Sequence, residues 1–379
     1  MTAPSRLTAT LVIAIVAIGL ALLFVSKVSR KMPDLAVYWT AANRASHAEP
    51  LYRAEDGHYQ FKYLPAFAIL TIPLGAVSLE TAKAIWFVDS VSLLILFVLL
   101  SVRLMPEQRR STGILVTLTV AAMAKFYGHE LVLGQMNILF GVVAAAAALA
   151  AVNRREVALG ALTALAIVVK PYAVLFLPWL VARRRLVSIG VALAGCALII
   201  ALPCVAYGVQ GTIQLHRDWW ATVTSSTAPN LTNADNVSIA AMWTKWIGPG
   251  RPATFLTAVT SAAALVLAAL VFARRTPLRA PEALECALLL TLIPLLSPQG
   301  WDYVFLIATP AIMLLINYDD TLPRGHRLLT RIALTTIALS LYDVMGRSAY
   351  SAFMSLSIIT VCYFVVVGAL YRLRVRAVA

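Results

Sequence analysis

Asp34, in the stretch KMPDLAVYW, is a carboxylate placed a few residues beyond a first apolar run. An acid just outside a bilayer, under an apolar roof, can accept a proton from a hydroxyl presented at the membrane surface. After Pro33 it can equally serve as a solvated or helix-capping aspartate. Lys170, in VVKPY, stands between two short apolar runs. A cation so placed either meets an anionic group such as a phosphate or snorkels to the surface. His216 and Arg217 in QLHRDWW, Lys62 beside Tyr63 in FKYLP, and Arg347 are further candidates for holding an anion. Gln135 and Asn137 in GQMN can hydrogen-bond sugar hydroxyls or cap the helix that follows. Asp89 and Glu285 lie in apolar runs and need basic partners, and the spacing of Asp343 and Arg347 predicts an ion pair one helical turn apart. Cys196, Cys204, Cys286 and Cys362 all fall in apolar runs without metal-ligand spacing, which reads as small buried hydrophobes. No metal is expected, because the outer segments carry few clustered acids, and no cofactor is expected.

The elements that must position these residues are membrane helices. The 379 residues are 61% hydrophobic and 13% charged. A water-soluble domain carries about 25% charged residues. So much apolar surface cannot be hidden in one soluble core, so the bilayer must solvate most of the chain. The net charge of +14 does not point to nucleic acid. It comes from small arginine clusters between apolar runs, such as Arg154–Arg155 and Arg183–Arg184–Arg185, the pattern of cytoplasmic loops.

Apolar length and arginine placement predict an all-α transmembrane bundle of about twelve spans, both ends inside, forming one domain over 1–379. The first span covers 7–26 and is read as retained rather than cleaved. The stretch 63–102 holds one crossing plus a half-inserted or surface helix. The runs 157–169 and 171–182 are too short to cross, so they form a pair with Lys170 at its tip, lining an enclosed cavity. On this topology 18 of the 24 arginines and none of the seven lysines lie at the inner face. The outer face collects 27–62, 127–137, the long loop 208–251 and 297–302. Trp219, Trp220, Trp243 and Trp246 in the long loop form either an interfacial belt or a platform for a sugar or lipid.

Five motifs occur in order: DLAVYWTAANRASHAEPLY, FKYLPAFAILTIPLG, GQMNILFGVVAAAAALA, ALGALTALAIVVKPYAVLFLPWL and LLSPQGWDYVF. Together, over about residues 30–310, they resemble glycosyltransferase family 87, the polyprenol-phosphate-mannose-dependent, mostly α-1,2-mannosyl transferases of the GT-C membrane fold. The resemblance implies an outer-face active site in a plasma or inner membrane and a polyprenyl-phosphate sugar donor. It further implies a lipid or glycan acceptor, inversion at the anomeric carbon, and Asp34 as the catalytic aspartate of the first outer loop. Family members often carry a histidine shortly after the SP-x-x-W motif; here Asp302 and Tyr303 occupy that stretch. The chemistry agrees with the implication. A sugar on a lipid phosphate brings its own leaving group, so a base and a few cations suffice, and nothing here reads as a nucleotide-binding fold. The rival reading is a transporter or flippase of lipid-linked sugars. It is disfavoured because the polar residues gather at one face rather than at mid-depth.

The orientation is testable by cysteine labelling. Ser46→Cys and Ser225→Cys should react with an impermeant thiol reagent in intact cells. Reaction of Ser46→Cys only after permeabilisation would invert the topology.

Overall fold

The computed structural model describes residues 18–273 and 280–376, and every regular element among them is a helix. The only strand-like pairing among these residues is an isolated bridge between Asn236 and Trp301. Residues 7–17 of the expected first span and the pair Arg274–Arg275 lie outside the described residues.

Helix length departs from the twelve expected crossings. Among the described residues two helices are long and apolar enough to cross a membrane, Leu79–Arg103 and Arg251–Ala273. The number reaches four if each of two bent pairs is one crossing. These are Leu186–Ala201 with Cys204–Asn230, bent by 90°, and Arg324–Leu339 with Tyr342–Ser355, bent by 105°. The shorter apolar helices include Ile18–Val28, Asn137–Val152, Glu156–Val169, Pro171–Ala182 and Asp302–Asn317. At 1.5 Å per residue a 16-residue helix is about 24 Å long, short of the roughly 30 Å hydrocarbon layer. These apolar helices mark a membrane protein, and several of the short ones are shielded by neighbouring helices rather than by lipid. Asn137–Val152 and Pro281–Leu296 are buried along nearly their whole length.

Small residues allow that burial. A Cβ on Gly160 would meet the Ser188 carbonyl at 2.5 Å, and one on Gly195 would meet Ala164 Cβ at 2.6 Å. Helices Glu156–Val169 and Leu186–Ala201 therefore pack backbone to backbone, as small residues permit in membranes. A buried acid is paired. Glu285, fully buried, accepts from Trp179 Nε1 at 2.9 Å and from Arg183 Nε at 2.7 Å, and lies 3.6 Å from Arg374. The short pair bracketing Lys170 folds back on itself, since Glu156 at its start is ion-paired to Arg185 just past its end.

Three expectations change. The 208–251 segment is mostly helical, with Cys204–Ser225 and Ile239–Ile247, because its apolar residues cluster on one face. Gly346, at φ 73 and ψ 166, interrupts the helix between Asp343 and Arg347, so the one-turn ion pair does not form. Asp89 is exposed on Leu79–Arg103 rather than paired across the bundle.

The SPQGWD loop is pinned to residues 235–238. Val237 N donates to Gly300 O at 2.7 Å, Asp302 N to Asp235 O at 3.0 Å, and Asn236 Nδ2 to Pro298 O at 2.8 Å. A Cβ on Gly300 would stand 2.1 Å from the Pro294 carbonyl oxygen, a backbone atom that cannot swing away. Gly300→Ala should lower stability by about 1–3 kcal/mol, the cost of overpacking. Gly128→Ala, in a helix with open space around it, should be neutral or stabilising. Thermal unfolding in detergent checks both, and equal midpoints would contradict the packing of this loop.

Candidate active site

Asp34 is set in place by the chain just before it. Met32 adopts a left-handed conformation (φ 58), and its N–H donates to Val132 O at 3.0 Å. Pro33 then opens helix Pro33–Ser46, with Asp34 in its first turn. Gly134 makes this approach possible. It caps helix Thr112–Leu133 at φ 70, and a Cβ there would stand 2.9 Å from Leu35 Cβ and 3.1 Å from Met32 Cβ. A left-handed residue in so tight a contact favours glycine.

Asp34 faces a cavity of about 540 Å³ whose wall includes Lys62, Tyr63, His129, Gln135 and Lys170. Burial pushes the Asp34 carboxyl above its ordinary 3.8, opposed by the Gln135 hydrogen bond and the charges of Lys170, His58 and His129. Lys62 is shifted the other way, because burial disfavours its charge more than Asp34 restores it. Gln135 is the hub of the wall. Its Oε1 accepts from Tyr38 Oη at 3.0 Å and from Tyr63 Oη at 3.1 Å, and its Nε2 donates to Tyr303 Oη at 3.2 Å. Lys170 Nζ donates to Tyr63 Oη at 3.0 Å. Trp219, Trp220 and Trp301 add aromatic faces.

The structure thus gathers Asp34, Lys62, Tyr63, Gln135 and Lys170 around one space. Asn137 and Asp302 stand behind its wall. Asn137, fully buried, donates through Nδ2 to Glu130 Oε2 at 2.8 Å, while Glu130 Oε1 accepts from Ile138 N at 3.0 Å. Asn137 is therefore tied into the helix start rather than presented to the cavity. Asp302, also fully buried, lies 3.1 Å from Lys125 Nζ and 3.0 Å from His129 Nδ1. His216, Arg217 and Arg347 are not in the wall: His216 Nδ1 bonds to Thr212 O at 2.9 Å, and the two arginines are exposed. Trp243 and Trp246 bond instead to Thr260 and to the Leu356 carbonyl.

Sequence reasoning passed over His129, Lys125 and Asp235. Lys125 carried the same signal as Lys170, a lone cation in an apolar run. His129 stood in the outer segment already singled out, YGHELVLGQMN, but nothing in the sequence joins it to Asp302, 173 positions away. Asp235 lines the cavity, and its carboxyl is raised by burial and by the charge of Asp302.

Comparison with known proteins adds one result. The model of glycosyltransferase family 87 matches residues 61–298. No curated protein and no solved structure matches the chain.

Gln135→Ala would leave buried tyrosine hydroxyls without their shared acceptor, an expected loss of about 1–3 kcal/mol. Asn233→Ala, at the same cavity but exposed and with its side chain accepting from Asp235 N, should cost less. Thermal unfolding of the two variants decides, and equal losses would deny the hub.

Proposed function

The chain belongs to glycosyltransferase family 87, and from that premise we propose that it transfers a sugar, mannose in the first place, from a polyprenyl-phosphate donor to a lipid or glycan acceptor. The reaction takes place at the outer face of the plasma or inner membrane, with inversion, inside the single domain formed by the whole chain. Asp34 is the base.

The observation that carries this reading is a half-buried carboxylate on the same cavity wall as two lysines. In an inverting transfer the acceptor oxygen attacks the anomeric carbon from the face opposite the departing phosphate. Asp34 takes the acceptor proton as the new bond forms, and the bond from carbon to phosphate oxygen breaks. Desolvation makes Asp34 a stronger base than a surface aspartate, so the proton transfer is better matched. Lys170 supplies a fixed positive charge for the single negative charge of the donor phosphodiester, oriented by Tyr63. Lys62, less firmly protonated, lies on the same wall. The tryptophan faces offer the stacking surface that the apolar side of a sugar ring or a prenyl chain requires. A volume of about 540 Å³ is in the range of small-ligand sites and would hold a sugar with its phosphate.

The nearest rival base is otherwise engaged. Asp56 is held by Arg44 through a two-pronged contact, with Arg44 Nη1 to Oδ2 at 2.5 Å and Nη2 to Oδ1 at 2.8 Å, which lowers its pKa. A carboxylate so neutralised is a weak base.

Asp34→Asn keeps the size and removes the base. Transfer should fall at least about a hundredfold, within the usual range of general-base catalysis, while donor binding and folding persist. The pH profile reports the same group. A base with a raised pKa is lost as pH falls through that pKa, so the wild-type acid limb should lie above 3.8 and vanish in the residual activity of Asp34→Asn. Near-normal transfer by Asp34→Asn with an inactive Asp56→Asn would move the base to Asp56. Full activity in both would remove the mechanism.

A further inference from the structure

The donor and the departing phosphate differ in charge, and that difference assigns a residue. A sugar–phosphate–polyprenol diester carries one negative charge. Once the bond to the sugar breaks, the electron pair stays on a phosphate oxygen and the leaving group becomes a monoester. With a second pKa near 6, such a monoester carries close to two negative charges at neutral pH. One fixed cation balances the ground state. The transition state needs a second positive group, and only an interaction that strengthens during the reaction raises the rate.

The cavity holds a group suited to this. His129 lines it, with its side chain about one-third exposed. Its Nδ1 is 3.0 Å from the Oδ1 of Asp302, a carboxylate with no solvent exposure. A buried carboxylate on one ring nitrogen fixes the ring and favours the doubly protonated imidazolium. The other nitrogen, Nε2, has no hydrogen-bond partner among the described residues. The Tyr303 ring packs edge-on against the imidazole with centroids 5.3 Å apart. The other charged groups around the histidine are Lys125, 3.1 Å from the second Asp302 oxygen, together with Asp235 and Asp34. On the Asp302 loop, the Ser297 hydroxyl is buried without a hydrogen-bond partner and belongs to the same wall, a polar atom left for a ligand.

We propose that His129, held by Asp302, donates its Nε2 hydrogen to the departing phosphate and neutralises the charge that appears there when the sugar leaves. The acceptor proton goes to Asp34, the electron pair of the broken bond goes to the phosphate oxygen, and His129 meets that oxygen. Asp302 acts through His129 and is a positioning residue. The assignment rests on the lipid-phosphate donor of the proposed function.

The probe is polyprenyl monophosphate, the product, bound to purified protein in detergent across pH 5 to 9, with unphosphorylated polyprenol as control. Wild-type affinity for the phosphate should fall on the alkaline side as the imidazolium loses its proton. His129→Gln should weaken binding about tenfold or more, the loss of one charge-assisted contact, and remove this step from the profile. Asp302→Asn should move the step to lower pH, an effect that loss of packing alone would not give. Binding of polyprenol should be unchanged in both. A His129→Gln protein that binds the monophosphate like wild type, with the same profile, overturns the assignment alone. A wild-type protein that binds no monophosphate overturns the lipid-phosphate donor, and this assignment with it. If Asp302→Asn fails to fold, His129→Gln still decides, since its ring is partly exposed.

Discussion

In an apolar slab, a side-chain amide must find partners for its donors and acceptors or pay for their desolvation. Gln135 finds them in Tyr38, Tyr63 and Tyr303, which come from three separate parts of the chain. That network ties helix Pro33–Ser46, the FKYLP segment and the segment after SPQGW to one point. Lys170 joins it through Tyr63. The short helices depend on the same constraint. The helix ends around Gln135, Lys170 and Trp301 meet at one cavity, whose wall includes Tyr38, Tyr63, Gln135 and Tyr303 of the network.

The two faces of the protein use charge differently. Among the described residues several arginines make structural ion pairs: Arg183 and Arg374 meet Glu285, Arg185 meets Glu156 and Glu282, and Arg331 meets Asp319. Arg185 to Glu156 closes the base of the short helix pair, which places Lys170 at the far end. Around the cavity the cations are lysines and histidine, whose protonation responds to surroundings in a way that arginine's does not. A site that must accept a growing negative charge is served by such groups.

Much of this was legible in the sequence. Composition gave the helical membrane class, Lys170–Pro171 marked the break between two short helices, and Asp34, Lys62, Gln135 and Lys170 do lie on one wall. What escaped has physical causes. Asn137 could not be separated from Gln135 by type or spacing; only the buried Glu130 beside it decides that it faces inward. His129 and Asp302 meet across 173 residues, a contact made by tertiary packing alone. Asp343 and Arg347 had the right spacing, but Gly346 sits between them with a positive φ, and a glycine there can end a helix as readily as continue a loop. Helix length among the described residues supports two to four crossings, and the expected twelve goes beyond it for a related reason. Apolar length distinguishes a full crossing from a soluble helix, yet a short helix shielded by its neighbours has the same composition as a lipid-facing one.

In the proposed reaction the sugar arrives on a lipid phosphate in this cavity. This is tested most directly with purified protein in lipid nanodiscs, given polyprenyl-phosphate mannose or GDP-mannose in parallel, each with a radiolabelled sugar and a membrane lipid extract as acceptor. Labelled glycolipid should form from the lipid-phosphate donor alone. Equal product from GDP-mannose, with none from the polyprenyl phosphate, would contradict it.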